Sequence, residues 1–212
     1  MKLPTPPLLV ISDRRQARRP LAELAEAAFA GGCRWFSLRE KDLPLAARRR
    51  LLGPLVLLGR RYGAAVSVHD DIDAAEQVGA GVHLPSGSSP EAARARLPNA
   101  LIGVSAHSAE EASAVLDAGA DYVTVSPVFP TASKPDYGPA LGLEGLAAIV
   151  ALAPGRVIAL GGITAENAAS CMSAGAYGVA VMGEVMRAAD PQAAVEALLR
   201  AMNKGPKEKI CG

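Results

Sequence analysis

The chain has 212 residues, half of them hydrophobic, and a formal net charge of +1. This length predicts one domain over residues 1–212, and the near-neutral charge provides no broad basic surface for nucleic acid. No apolar stretch approaches the roughly 20 residues of a membrane span, and the three widely spaced cysteines favour a reduced, cytoplasmic setting.

Short apolar runs recur along the chain, separated by segments with helix-like signals. The runs are rich in Val and Ile and mostly too apolar to have a solvated face, which is typical of parallel strands covered on both sides. Eight such runs occur, at residues 8–12, 35–40, 65–70, 81–84, 101–107, 122–129, 156–162 and 178–183.

The segments between the runs are predicted to be helices. Capping residues mark four starts, at Ser89-Pro90, at Ser108 with Glu111, at Thr164 and at Asp190-Pro191. Glycines mark the ends, at Gly31-Gly32, Gly79, Gly119 and Gly175. Eight strand–helix units predict an α/β fold, a single-domain (β/α)8 TIM barrel, with a doubly wound open sheet as the alternative. The polar segment 204–212 is expected to be a flexible tail.

Such barrels carry their sites at the carboxyl ends of the strands, so polar residues and glycines there are the candidates. The best phosphate signal is Gly161-Gly162 after the seventh run, together with Met182-Gly183 after the eighth. Glycine lets backbone N–H groups approach an anion closely. The alternative is that these glycines only make tight turns.

Positive side chains follow the second and sixth runs. Arg39 and Lys41 alternate at the end of the second run, so both could point into the barrel mouth, and Lys134 could add a third charge. Three cations there suit a phosphorylated or diphosphorylated substrate. The alternative for Arg39 is a structural ion pair with Glu40.

Histidines and aspartates at three strand ends are candidates for acid–base or metal chemistry. His69 and Asp70 could form an acid–base pair, or Asp70 could bind Mg²⁺, which prefers carboxylate and phosphate oxygens. Asp71 is interpreted as the cap of the next helix. His83 lies within a strand and is interpreted as a packed core residue. His107 could either act in catalysis or hold a loop.

Several motifs together resemble the thiamine phosphate synthase/TenI family. They run in order from about residue 8 to residue 188 and include LREK (38–41), HDD (69–71), GVSAHS (103–108), PVFPTASK (127–134) and IALGGIT (158–164). The resemblance implies a (β/α)8 barrel and a role in thiamine biosynthesis. It also raises the expectation of a homodimer.

For a synthase, the resemblance implies condensation of hydroxymethylpyrimidine diphosphate with thiazole phosphate in the presence of Mg²⁺. The family's Gln-x-Arg-x-Lys strand end is Ser37, Arg39 and Lys41 here, all expected to bind substrate. The family's Asn-Asp pair is His69-Asp70, which keeps the metal-binding Asp. Ser88 stands at the position where the family has its second metal-binding Asp. Ser105 and Lys134 match pyrophosphate-binding positions.

The thiazole phosphate half matches the family more fully. Thr131 and Ser133 match two substrate-binding hydroxyls, and Gly161 and Gly162 match the glycines of the phosphate site. Met182 and Gly183 fall where backbone N–H groups bind that phosphate. Gly183 replaces a usual Ser, which leaves the backbone donor intact.

Three departures in the pyrimidine half favour the TenI branch, to which thiazole phosphate tautomerisation is attributed. The loop LPSGS (84–88) has lost its metal-binding carboxylate, so no metal would be needed. Pro127 stands where that branch has its catalytic His, so His69 or His107 would have to be the acid–base group. The sequence therefore predicts a TenI-like thiazole phosphate enzyme. The alternatives are an Mg²⁺-dependent synthase and a non-catalytic thiazole phosphate-binding regulator.

Overall fold

The structure, a computed structural model, describes residues 2–131 and 140–204. Two predicted substrate-binding residues, Ser133 and Lys134, lie outside this range. Residues 205–212 of the tail predicted over residues 204–212 also lie outside it.

Eight parallel strands close into a barrel in sequence order, so each strand pairs with the next and the last pairs with the first. The strands are β1 Leu8–Ile11, β2 Trp35–Leu38, β3 Ala65–His69, β4 Gly81–Leu84, β5 Ile102–Ala106, β6 Tyr122–Val125, β7 Val157–Leu160 and β8 Gly178–Val181. Each lies within one of the eight predicted runs. The predicted (β/α)8 TIM barrel is confirmed, and the open-sheet alternative is wrong.

Helices follow the strands and cover the outside of the barrel. They are α1 Leu21–Ala30, α2 Leu45–Arg61, α3 Ile72–Val78, α4 Glu91–Arg96, α5 Ala109–Asp117, α6 Gly142–Leu152, α7 Ala168–Ser173, α8 Gly183–Met186 and α9 Pro191–Met202. The strands are buried along nearly their whole length because helices cover one face and the barrel interior the other. No helix in the described ranges is both long and apolar enough to cross a membrane.

Two of the four predicted helix caps, Ser108 and Asp190, are observed. Ser108 Oγ accepts a hydrogen bond from Glu111 N at 3.2 Å, and the Asp190 carboxylate accepts one from Ala193 N at 3.1 Å. Ser89 and Thr164 do not cap their helices. The Ser89 hydroxyl accepts from Glu91 N at 3.3 Å, and Pro90 is itself the residue that precedes α4. The Thr164 hydroxyl accepts from Glu166 N, in a turn that precedes α7. The side chain therefore caps that turn and not the helix.

Large side chains fill the amino-terminal half of the barrel interior. The rings of Trp35 and Tyr122 meet edge to face with centroids 4.6 Å apart. Gly103 makes room for Tyr122, because a Cβ on Gly103 would come within 2.5 Å of the tyrosine Cε1. With this end packed by side chains, the large cavity of the barrel lies at the carboxyl ends of the strands.

Candidate functional site

A cavity of about 420 Å³ lies at the carboxyl ends of the strands. Most of the predicted site residues within the described ranges line it: Ser37, Arg39, Lys41, His69, Ser105, His107, Thr131, Gly161, Gly162, Met182 and Gly183. Asp70 is not one of the lining residues. The barrel thus brings residues from six strand ends, far apart in sequence, to one concave surface.

Arg39 and Lys41 follow β2, and backbone contacts hold this strand end in place. Arg39 N donates to Ser12 Oγ at 2.9 Å, and Ser12 Oγ in turn donates to the Glu40 carboxylate at 2.7 Å. Glu40 is only 1% exposed and also accepts two hydrogen bonds from Arg14 N. The Arg39–Glu40 ion pair considered above is therefore not formed, because Glu40 anchors the loop after β1.

The two cations at β2 have no acidic partner at ion-pair distance within the described residues. Burial, and then the neighbouring Arg39 charge, lower the pKa of Lys41, while Asp70 acts in the opposite direction. Like charges held together at a cavity favour an anion between them. This side of the cavity is therefore suited to a multiply charged phosphate group.

A buried histidine pair lies below these cations. His69 and His83 face each other across the β3–β4 register, with stacked rings 5.7 Å apart. Burial lowers the pKa of His69 to about 2 and that of His83 to about 3, and nearby positive charges add to both shifts. Both rings are therefore neutral at physiological pH.

His83 is buried, as interpreted from the sequence, and it also lines the cavity. Its Nδ1 lies 3.1 Å from the Tyr122 hydroxyl, and its Nε2 lies 3.0 Å from Ser105 Oγ. These bonds place the hydroxyl of Ser105 at the cavity wall. The sequence did not indicate that His83 pairs with His69, because this pairing depends on the strand register.

His69 Nε2 is buried and has no hydrogen-bond partner among the described residues. A buried polar atom without a partner costs free energy, so a ligand group that reaches His69 would recover it. A ring with so low a pKa is also a weak proton acceptor. His69 therefore suits substrate binding better than acid–base catalysis.

His107 is half-buried at the end of β5. Its Nδ1 lies 2.7 Å from the Ser126 carbonyl oxygen, so Nδ1 carries the proton in the neutral ring. This leaves Nε2 as the acceptor nitrogen of that ring. His107 thus has the right tautomer for a base on the cavity wall, and it also links β5 to the segment that follows β6.

The two aspartates after β3 have different roles. Asp71 caps α3 through Ala74 N at 3.0 Å and forms two hydrogen bonds with Arg49, at 2.8 and 2.9 Å. The hydrogen bonds from Arg49 lower the pKa of Asp71. Asp71 is therefore engaged structurally, as interpreted from the sequence, and is not placed as a second metal ligand.

Asp70 is exposed and has a left-handed φ of 56°. The described residues contain no group of three or more His, Cys, Asp or Glu side chains able to enclose a metal ion. Mg²⁺ is commonly held by one or two carboxylates together with substrate phosphates and water. Asp70 beside Lys41 fits that arrangement as a single carboxylate, and its metal role stays a prediction.

The loop after β4 is linked to another carboxylate. Ser86 lines the cavity, and its hydroxyl donates to Glu111 Oε2 at 3.2 Å. The same oxygen accepts from His107 N at 2.8 Å. The carboxylate next to this loop is therefore that of Glu111 on α5, because position 88 is a serine.

The glycines after β7 are required by the backbone. Gly161 and Gly162 have φ values of 97° and 64°. A Cβ on Gly161 would lie 2.8 Å from Pro127 Cα, and one on Gly162 would lie 2.5 Å from the Pro130 oxygen. Gly161 and Gly162 thus make a tight turn, and phosphate binding by the same glycines stays a prediction.

Comparisons with known proteins agree with this architecture. The family model for thiamine monophosphate synthase matches residues 8–185. A thiamine-phosphate synthase of Roseiflexus sp. (strain RS-1) is 42% identical over 89% of this chain and 82% of that protein. A thiamine-phosphate synthase of Roseiflexus castenholzii is 42% identical over 89% of this chain and 85% of its own.

A solved structure leads to the same family. Thiamine phosphate pyrophosphorylase from Pyrococcus furiosus superposes with a TM-score of 0.83 at 37% identity, over 93% of this chain and 95% of that chain. These relatives favour the synthase alternative over the TenI-like prediction. From the matched length, the identity and the closed barrel, the chain belongs to the thiamine monophosphate synthase family of enzymes.

Proposed function

We propose that this protein is a thiamine phosphate synthase, which joins hydroxymethylpyrimidine diphosphate to thiazole phosphate and releases pyrophosphate. The observation that carries the proposal is the pair Arg39 and Lys41, which have no acidic partner at ion-pair distance among the described residues, in the cavity that Gly161 and Gly162 also line. One cavity then offers a place for each of two phosphorylated substrates. The names of the 42% identical relatives support the same reaction.

The reaction needs a leaving group that departs with its electron pair. The pyrimidine methylene C–O bond breaks, pyrophosphate leaves, and the thiazole nitrogen forms the new C–N bond to the resulting cation. Arg39 and Lys41 stabilise the negative charge that grows on the leaving oxygen. Asp70 would hold Mg²⁺, which when bound supplies further positive charge to the diphosphate.

The buried histidines take part by binding and orientation. His69 Nε2, which lacks a protein partner within the described residues, is available to a polar group of the pyrimidine ring. His83 holds Ser105 Oγ at 3.0 Å and so fixes a hydroxyl at the cavity wall. Because both rings stay neutral, they add no positive charge that would oppose the pyrimidine cation.

Tautomerisation of a thiazole phosphate is the second candidate function, and His107 is the observation in its favour. Its protonated Nδ1 faces the Ser126 carbonyl, so Nε2 could act as the base. His69 does not suit this role, because burial lowers its pKa to about 2. In a tautomerase, however, Arg39 and Lys41 at the end of β2 would have no function.

A product assay separates the candidates. The protein is mixed with pyrimidine diphosphate and thiazole phosphate, with and without Mg²⁺, and thiamine phosphate is measured. We expect product that depends on Mg²⁺. If no product forms but thiazole phosphate still raises the melting temperature, the synthase proposal is wrong, and proton exchange on the thiazole would then distinguish a tautomerase from a regulator.

Two arginine variants connect the assay to the site. Arg39→Gln removes one charge from the leaving-group side, and we expect kcat to fall about 100-fold. Arg50→Gln changes an exposed arginine on α2 that does not line the cavity, and kcat should stay the same. Equal rates for the two variants would remove Arg39 from the proposed mechanism.

A further inference from the structure

Arg187 lies at the β8 side of the cavity and follows directly after α8. Its backbone N–H donates to the Gly183 carbonyl at 3.0 Å, one helical turn earlier. Residues four apart on a helix share a face, so the arginine side chain extends over Gly183. The side chain is one of those that line the cavity.

Gly183 provides the space for this guanidinium. A Cβ on Gly183 would lie 2.5 Å from Arg187 Cζ and closer still to both terminal nitrogens. Gly183 does not have the positive φ that would demand glycine for conformational reasons. The guanidinium therefore occupies the volume that a side chain at position 183 would take.

Hydrogen bonds orient the guanidinium, and no acid in the described part of the chain forms an ion pair with it. Arg187 Nη1 donates to Gln16 Oε1, and Gln16 Nε2 donates to Asp13 Oδ2 at 2.6 Å. Within residues 2–131 and 140–204, no carboxylate lies within ion-pair distance of Arg187. A held guanidinium with donors to spare is well suited to phosphate.

We propose that Arg187 binds the phosphate of the thiazole substrate and makes the site selective for the phosphorylated thiazole over the free alcohol. This rests on the proposed function, which supplies the substrate. Phosphate sites in this fold commonly lie after the seventh and eighth strands. There the glycine backbone would contact the phosphate from one side, and the guanidinium would add a charge that a backbone amide lacks.

The test measures the binding of thiazole phosphate and of the unphosphorylated thiazole alcohol by calorimetry. We expect Arg187→Ala to weaken binding of the phosphate about 10–100-fold, since a charge-assisted hydrogen bond is lost. Affinity for the alcohol should not change. The control is Arg200→Ala, which removes a 66% exposed arginine that pairs with Glu196 on α9 and should alter neither affinity.

A double-mutant cycle tests the geometry. Gly183→Ala keeps the backbone N–H but places a methyl group where the guanidinium lies, so it should weaken phosphate binding in the wild-type background. Once Arg187→Ala has removed the guanidinium, the same methyl group should cost little. Additive losses in the double variant would show that Gly183 and Arg187 do not share one phosphate.

The two proposals can fail separately. If wild type makes thiamine phosphate and Arg187→Ala binds thiazole phosphate equally well, the Arg187 proposal alone is overturned. If wild type makes no product, inorganic phosphate is titrated into wild type and Arg187→Ala. Weaker phosphate binding in the variant would keep Arg187 as an anion ligand without the synthase reaction, and equal binding would overturn both.

Discussion

The two sides of the cavity differ in the groups that line them. On the β2–β3 side, long charged side chains such as Arg39 and Lys41 extend from strand ends into open space. On the β7–β8 side, Gly161 and Gly162 contact the segment after β6 so closely that a Cβ would collide with it. The first side offers charged side chains to a ligand, and on the second side the lining glycines are also held by backbone packing.

This difference is consistent with the positions at which the sequence is expected to depart from the family pattern. The replaced positions Ser37, His69 and Ser88 lie on the β2–β3 side and in the loop after β4, where a new side chain need not move the backbone. On the β7–β8 side, the glycines that match the family are also the ones that the packing requires. Gly183 is the exception there, and its space is filled by Arg187.

The largest effect is expected on the β7–β8 side, from Gly162→Ala. The methyl group would lie 2.5 Å from the Pro130 oxygen, so the segment that carries Thr131 must move. We expect KM for thiazole phosphate to rise about 100-fold, because small displacements of binding groups are costly in catalysis. Steady-state kinetics with pyrimidine diphosphate in excess would measure this.

Gly155→Ala is the matched control, because Gly155 also has a positive φ, 73°, but a Cβ there meets no atom within 4 Å. It should lower the free energy of unfolding by about 1–2 kcal/mol through backbone strain alone and leave KM unchanged. A normal KM in Gly162→Ala would contradict the link between packing and binding on this side.

A smaller effect is expected on the β2–β3 side, from Asp70→Asn. Asparagine tolerates the left-handed φ of 56° at this position, so the variant removes charge without changing the backbone. We expect the Mg²⁺ concentration for half-maximal product formation to rise about 10-fold. Asp73→Asn, an exposed aspartate paired with Arg96, is the control. An unchanged Mg²⁺ requirement in Asp70→Asn would remove Asp70 from the metal site.

The smallest effect concerns stability and comes from the His69–His83 pair. Both rings stay neutral in the folded protein but bind protons in the unfolded chain below pH 6.5. The free energy of unfolding should therefore be level above that pH and fall by about 1.4 kcal/mol per pH unit for each histidine below it.

Urea denaturation at pH 7.5 and at pH 5.5 would measure this fall. His69→Asn removes one of the two groups and should reduce the fall by up to about 1.4 kcal/mol between those values. Parallel pH dependences of wild type and His69→Asn would show that His69 is not held neutral by burial.

Much of the fold could be read from local patterns. Eight Val- and Ile-rich runs with capping signals such as Ser108 and Asp190 between them were enough to predict the barrel. The strand ends then named most of the residues that line the cavity, because parallel strands of a barrel present their carboxyl ends on one face. Thr164 was assigned to the wrong structure because a turn and a helix start use the same hydroxyl.

The function needed more than local patterns. Three replaced residues suggested a TenI-like protein, but the relatives and the pair Arg39 and Lys41 in the cavity favour a synthase. The sequence showed which side chains were absent. It could not show that His69 would be too deeply buried to serve as a base.

By itself, the sequence determined the architecture, the family and the strand ends that carry the site, because periodicity, caps and motif order are local properties of the chain. Only the tertiary structure decided which side chains meet. The stacking of His69 on His83 depends on strand register, the burial of Glu40 depends on packing around β1, and the placement of Arg187 depends on the missing Cβ of Gly183. Each is a contact between elements, and its free energy depends on distance and burial that no local pattern specifies.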